Sequence, residues 1–185
     1  MYLSLIIGKR SYNIGFLGLE KKGIVRIMNL EKAAEYQIWA NDEIREMIGD
    51  LTSEEFTKND IQDLCIHIML AIDHNLETII LKKDVDWGEK YDELLKLSKE
   101  NLMTKWRKTD ERLLEYIKHK DEMMIDFPNF VKGEGIVEMT QDDYYFQYLT
   151  HTIYHRAQLM TALKKLGKKG RTTDYLNYLF IKDSV

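Results

Sequence analysis

The sequence predicts an all-α protein, an up-down-type four-helix bundle with a long crossover between its third and fourth helices. Apolar residues recur at three- and four-residue steps through four long segments, which is the helical period. Only one proline occurs in the 185 residues, and it falls in the predicted crossover. With 44% apolar and 31% charged residues, the chain is typical of a mostly helical domain with a sizeable core.

Composition also limits the partners and the compartment that we expect. A formal net charge of −4 gives no reason to expect nucleic acid as a partner. The single cysteine, Cys65, excludes an intrachain disulfide and fits a reducing compartment. No apolar run approaches the roughly 18 residues needed to span a bilayer, and the positive charges at Lys9 and Arg10 follow the short apolar start rather than precede it. We therefore expect a cytoplasmic protein with no membrane partner.

Residues 1–28 differ from the rest of the chain. They hold four of the ten glycines and show no sustained period. Two interpretations compete: an N-terminal arm that packs on the domain, or an extension upstream of a native start at Met28. The second is slightly favoured because Met28 directly precedes a helix start, with Asn29 as its N-cap. The predicted organisation is thus an extension at 1–28 and a bundle domain at 29–185.

The first two long helices are predicted at about residues 30–49 and 60–83. Gly49 is a natural stop for the first helix. Thr52 and Glu55 form a capping-box pattern for a short turn between the two helices. The second helix has a regular apolar stripe, and His67 and His74 lie on one line at its flank.

A third helix is predicted at about residues 90–119, with Leu95, Leu102, Trp106 and Leu113 among its inward residues. The helical period is lost from 123 to 139, where glycines and β-branched residues suggest a crossover with a short hairpin. Thr140 then caps a fourth helix that ends at Gly167. Residues 171–181 suggest a short terminal helix.

The fourth helix carries the most informative residues of the chain. His151 and His155 are four residues apart, about 40° round a helix and roughly 6 Å along its axis, so both imidazoles can reach one cation. They share a stripe with Tyr148 and Leu159, so they are expected to face the core. His67, on the flank of the second helix, is the chosen third ligand. Three imidazoles with an open position resemble a catalytic zinc site, and nickel, iron and copper also accept imidazole.

Simpler explanations compete with the metal hypothesis. A histidine pair at this spacing often marks two hydrogen-bonded core or surface histidines. The sequence leaves three roles for His74: a metal ligand, a group that supports the ligands, or no role at the site. Gln158 lies on the face of His151 and could hydrogen-bond a ligand or satisfy a buried backbone group. Arg156 lies about 100° round the helix from His155 and is expected to form an ion pair with a neighbouring helix rather than to act in catalysis. His119 is best explained as a charge at a helix C-terminus.

Four stretches together resemble the DinB-like (YfiT-like) family of metal-binding four-helix bundles. The segment 36–41 resembles the Tyr-x-x-Trp-Ala-Asn of that family, and 64–68 resembles its Leu-x-x-His-Ile/Leu. The segment 151–158 resembles its His-x-x-x-His-Arg-Gly-Gln, with Ala157 in place of the usual glycine, and 174–179 resembles its Asp-aromatic-Leu-x-Tyr/Phe-Leu ending. The resemblance covers about residues 30–180 and leaves 1–28 unexplained.

The resemblance implies a divalent metal ion (zinc, nickel, iron or manganese) bound by His67, His151 and His155, with water completing the shell. It also implies a homodimer. Members with an assigned activity resemble transferases of low-molecular-weight thiols such as bacillithiol. The expected function is therefore metal-dependent transfer of a small thiol to an electrophile in stress or detoxification, with catalytic groups unknown and Gln158 or Asn41 as possible support. The alternatives are a metal-dependent hydrolase, or a non-enzymatic helical interaction module whose histidine site is structural or empty.

Overall fold

The computed structural model describes residues 2–7, 10–15, 29–58, 60–121, 123–128 and 133–183. Strands β1 and β2 form an antiparallel hairpin near the N-terminus, and β3 and β4 form a second hairpin. No helix in these ranges is long and apolar enough to cross a membrane. The boundary predicted at residue 28 falls outside them, so the division into extension and domain stays a prediction. The elements are β1 (Tyr2–Ile7), β2 (Arg10–Gly15), α1 (Leu30–Gly49), α2 (Ser53–Phe56), α3 (Ile61–His74), a π-helical segment (Asn75–Ile80), α4 (Trp87–Leu95), α5 (Lys99–Lys118), β3 (Met124–Pro128), β4 (Ile136–Thr140), α6 (Gln141–Lys165) and α7 (Tyr175–Asp183).

Four long helices, α1, α3, α5 and α6, form the predicted bundle. Each of α1 and α3 packs chiefly on both α5 and α6, so α1 lies diagonally across from α3. The predicted apolar stripes form the core: Ile44, Ile68, Trp106 and Leu159 are fully buried. A helix that buries such a stripe is stabilised mainly by this packing, since isolated helices of this length are marginal in water.

The residues that meet in each half of the core fix the direction of each helix. One cluster joins the C-terminal half of α1, the N-terminal halves of α3 and α5, and the C-terminal half of α6. A second cluster joins Ala34 near the start of α1, Ile72 and Ile117 late in α3 and α5, and Leu149 early in α6. The helices therefore run up, down, down and up, with α3 parallel to α5.

The connection that runs the length of the bundle precedes α5. Because α3 and α5 are parallel, the chain must return before α5 begins, and α4 makes this return against α3. Trp87 lies near Thr78, and the Gln62 side chain donates a hydrogen bond to the Leu95 carbonyl. The prediction of one helix from 90 to 119 is thus wrong, because Ser98 caps a new helix at α5. Leu95, expected to face inward, is exposed.

The long connection predicted between the third and fourth helices is present and contains the predicted hairpin. It joins α5 to α6 at one end of the bundle, with β3 and β4 packed against the start of α6. Thr140 caps α6 by accepting a hydrogen bond from the Asp143 amide. Gly167 follows α6 with φ of +73°, a left-handed conformation that suits glycine at this position. The site described next lies between α3 and this anchored α6.

Candidate metal centre

The three histidines predicted as ligands come together in the groove between α3 and α6. These helices are antiparallel neighbours, so His67 of α3 faces His151 and His155 of α6. The Nε2 atom of His67 lies 3.1 Å from Nε2 of His155 and 3.2 Å from Nε2 of His151. One ring nitrogen of each histidine lies within 4.8 Å of the other two. The three imidazoles could therefore bind one metal ion.

The separations suit a small divalent ion. A Zn–N bond is about 2.0–2.1 Å, so two imidazole nitrogens on one tetrahedral zinc lie roughly 3.3 Å apart. The two Nε2 separations from His67 are within a few tenths of an ångström of that value. The donor set is borderline in softness and entirely nitrogen, which suits zinc, nickel or iron better than magnesium or calcium. The residues present thus fit the divalent metal that the sequence predicts.

The site is more open than the helical stripe predicts. His67 is solvent-exposed, and His151 and His155 are partly buried, whereas the stripe places the two α6 histidines toward the core. The stripe itself is buried at Tyr148 and Leu159. The histidines lie at the edge of this stripe, on the side of α6 that faces the groove with α3. A metal ion held by these three rings would therefore be accessible to solvent.

The protonation state of the cluster favours metal binding. Although part of the His67 side chain is exposed, its partial desolvation in the groove lowers its pKa, and the neighbouring His155 lowers it further. Burial, His155 and His67 together lower the pKa of His151 to about 4. Desolvation and the neighbouring imidazoles thus disfavour a proton on His67 and on His151. At neutral pH, His67 and His151 therefore offer free nitrogen lone pairs.

Gln158 orients one of the three rings. Its Oε1 atom lies 2.7 Å from Nδ1 of His155, and His155 precedes Gln158 by about one turn of α6. An amide oxygen only accepts, so Nδ1 of His155 carries the proton and its Nε2 lone pair faces the other histidines. Metal-binding histidines commonly have their second nitrogen fixed in this way. Gln158 thus contacts one of the three proposed ligand rings, while the two roles expected for it, bonding a metal-bound ligand or a buried backbone group, stay predictions.

A cleft of about 610 Å³ opens beside the cluster. Its walls come from the end of α3 and the following π-helical segment, the β3–β4 hairpin and the first half of α6. The cleft gives a molecule of moderate size access to the histidines. It is lined by His67, Ala71, His74, Asn75, Phe127, Glu138, Met139, Asp143, Tyr144, Gln147, Tyr148 and His151.

The other two histidines of the described chain do not join the cluster. His74 is half-buried, and its ring packs 5.1 Å from that of Trp87. It lines the cleft but does not close the coordination shell. His119 ends α5, where its Nδ1 lies 3.0 Å from the Glu115 carbonyl oxygen, as expected for a residue at a helix C-terminus. The cluster thus offers three protein ligands.

Arg156 and Asn41 belong to a second, fully buried polar network. Arg156 donates hydrogen bonds to the side-chain oxygens of Gln37 and Asn41, both on α1. The Asn41 amide nitrogen in turn donates to both carboxylate oxygens of Asp110, and Arg45 pairs with Asp110 at 2.7 Å. Arg156 contacts a neighbouring helix, but through neutral hydrogen-bond acceptors rather than through the expected ion pair. The Asn41 amide is committed within this network.

Several residues at the site and in the network escape sequence reasoning. Asp110 shares the buried face of α5 with Trp106 and Leu113. A carboxylate on an otherwise apolar face could have identified it from the sequence. The cleft residues Phe127 and Glu138 had no comparable signal. They reach the site only because the hairpin folds back over α6, and no local pattern encodes that placement.

Comparison with known proteins identifies relatives of this fold. A model of the DinB family matches residues 27–184. "Protein DinB" of Bacillus subtilis (strain 168) is 24% identical over 166 residues, which cover 81% of this chain and 93% of that relative. No solved structure matches.

Proposed function

Because the chain belongs to the DinB family, we propose that its three histidines bind a divalent metal and that it transfers a low-molecular-weight thiol to an electrophile. One observation carries this proposal: three imidazoles converge at the mouth of a cleft and leave a coordination position open. A structural zinc site is ordinarily closed by four protein ligands, whereas a catalytic one keeps a position for a substrate or water. The described residues supply three.

The chemistry of a thiol transferase suits such a centre. A divalent ion bound by His67, His151 and His155 would favour a thiolate over a thiol near neutral pH. Gln158 fixes the ring of His155, and the cleft holds an electrophile beside the cluster. The chain's own cysteine does not serve as the thiol, because Cys65 is fully buried and burial raises the pKa of its thiol. In this proposal the thiol is therefore a separate small molecule, of the bacillithiol type.

The remaining parts of the proposal concern assembly and location. We propose that the protein acts in the cytoplasm, in stress or detoxification, as a homodimer. Apolar side chains exposed on α6 and α7, including Phe146, Ile153 and Leu176, provide surface for a second copy. Light scattering coupled to size-exclusion chromatography would measure the mass directly. A monomer at micromolar concentration would contradict the dimer.

The decisive experiment is elemental analysis of the untagged protein and of His155→Ala. We expect about one divalent ion per chain in the parent protein and loss of most of it in the variant, because one of three ligands is removed. His119→Ala is the matched control, because it also removes one histidine, but an exposed one that is remote from the cluster in sequence. Comparison of the two variants shows whether the loss of metal is specific to the cluster. Both variants are then assayed with a small thiol and a chromogenic electrophile.

The outcomes separate the competing functions. Turnover that requires both the metal and the thiol supports the transferase. Metal-dependent cleavage of an ester or amide without a thiol would favour a hydrolase instead. A parent protein that binds no metal, even after reloading with zinc, nickel, manganese and iron, would leave a helical interaction module as the better explanation.

A further inference from the structure

The cleft beside the histidines has an unbalanced charge. Two carboxylates, Glu138 on β4 and Asp143 in the first turn of α6, stand at its exposed rim. Among the described residues that line it there is no lysine or arginine. The one further imidazole in its wall is His74, and burial lowers its pKa, so it is neutral at pH 7. In the metal-free protein, a negatively charged group entering the cleft would meet repulsion from both carboxylates and no cationic side chain among the described lining residues.

The buried end of the cleft holds polar atoms without ordinary partners. Asn75 and Tyr144 both line it and are 3% and 1% exposed. Within the described part of the chain, neither Oδ1 of Asn75 nor the hydroxyl of Tyr144 makes a hydrogen bond of ordinary geometry. The Asn75 amide nitrogen is already used, because it donates to the Ala71 carbonyl. The remaining acceptor, Oδ1 of Asn75, interacts only weakly with the neighbouring His74 ring, and a buried acceptor without a well-formed hydrogen bond favours a ligand that donates one.

Aromatic and sulfur-containing side chains complete the walls. Phe127 and Met139 come from the hairpin, and Tyr148 comes from α6. The rings of Phe127 and Tyr144 pack with their centroids 5.5 Å apart, which fixes the hairpin against α6. The volume of about 610 Å³ is within the range of sites for small organic molecules.

From these three features we infer that the cleft binds the apolar, non-anionic part of a substrate, with a hydrogen-bond donor directed to Asn75. The inference rests on the proposed function and adds a substrate class to it. The electrophile of the transfer occupies this cleft as an uncharged or cationic apolar molecule with an N–H or O–H group. A thiol that carries carboxylates must then approach the histidines from outside the cleft.

Three naphthalenes of matched size test the inference by equilibrium dialysis. 2-Naphthol is neutral and donates a hydrogen bond, 2-methoxynaphthalene is neutral without a donor, and 2-naphthoate is an anion. Each is measured with zinc-loaded protein and with chelator-treated protein, because the carboxylate of naphthoate can bind zinc. In the metal-free protein we expect naphthol to bind at least tenfold more tightly than naphthoate and about threefold more tightly than the methyl ether.

Variants assign these preferences to residues. Glu138→Lys should tighten naphthoate binding at least threefold, whereas Glu134→Lys, an exposed position on the same hairpin, should leave it unchanged. Asn75→Leu should remove the advantage of naphthol over its methyl ether. Tyr144→Phe provides a second variant if Asn75→Leu does not fold, and it should reduce the same advantage while keeping the aromatic wall.

The results distinguish this inference from the proposed function. Naphthoate binding as tight as naphthol binding in the metal-free protein would overturn the inference, as would the failure of all three probes to bind. Either result can coexist with thiol transfer. Conversely, the protein could prefer naphthol as described and yet neither retain metal nor transfer a thiol. That result would support the cleft assignment and contradict the transferase.

Discussion

Two adjacent residues of α6, His155 and Arg156, belong to polar assemblies of opposite character. His155 joins an open cluster in which three imidazoles crowd together and face solvent. Arg156 joins a closed network in which donors meet acceptors from α1 and α5. One residue step on a helix turns the side chain by about 100°, so neighbouring positions serve the surface groove and the interior.

The contrast shows how polar groups in one bundle can serve stability or ligand binding. In the network, Arg45 and Asn41 both satisfy the buried Asp110 carboxylate. In the cluster, the nearest partners of His67 are two other bases, and no carboxylate is among the three. Such an arrangement is favourable only when the imidazoles are neutral or share a cation. The predictions below test whether this division is real.

The largest expected effect concerns the closed network. Asp110→Ala should lower the free energy of unfolding by about 3 kcal/mol, because it leaves Arg45 with Asp42 as its remaining ionic partner and removes both carboxylate acceptors of the Asn41 amide. Urea denaturation of the metal-free protein measures the loss. The adjacent Glu111→Ala is the control, since Glu111 is exposed and its change should stay within about 0.5 kcal/mol.

The same variant also tests the separation of the two assemblies. Any Asp110→Ala protein that remains folded should retain metal with unchanged stoichiometry, since Asp110 is not part of the histidine cluster. Loss of metal from a folded variant would show that the network positions α6 for binding, and the division drawn here would fail.

A smaller effect is expected at Gln158, which contacts the open cluster through His155. Gln158→Leu should weaken metal binding about tenfold to hundredfold, because the His155 ring loses the acceptor that fixes its Nδ1 proton. Competition with a chromogenic chelator gives the dissociation constants. Thr161→Ala, at an exposed position one turn further along α6, is the control. Equal affinities for all three proteins would show that Gln158 plays no part in orienting the ring.

Local patterns in the sequence predicted the long helices and the meeting of the three histidines. His151 and His155 share a face because of their four-residue spacing, and His67 lies at the flank of the α3 stripe. Caps at Asn29 and Thr140 were also predictable, because each depends on a residue and its own next turn. These features need only the geometry of a single helix.

Features that depend on distant parts of the chain could not be predicted in the same way. The interruption of the third helix before Ser98 follows from the return of α4 along α3, which is a property of the whole topology. The exposure of His67 depends on how deeply α3 and α6 interlock. The cleft wall at Phe127 depends on the hairpin folding over α6. A stripe of apolar residues identifies a buried face but not its exact edge.

The smallest expected effect is a dependence of stability on pH that arises in the open cluster. The pKa of His151 is about 4 in the folded protein, against about 6.5 in an unfolded chain. Between these values the unfolded state binds more protons, so the free energy of unfolding rises with pH and falls on acidification. We expect the metal-free protein to lose about 1–2 kcal/mol between pH 6.5 and 4 through this residue, and His151→Gln to lose correspondingly less. Urea titrations at several pH values measure both slopes. Parallel slopes for the two proteins would mean that His151 is no more difficult to protonate when folded, and the cluster would then be no more constrained than an ordinary exposed histidine.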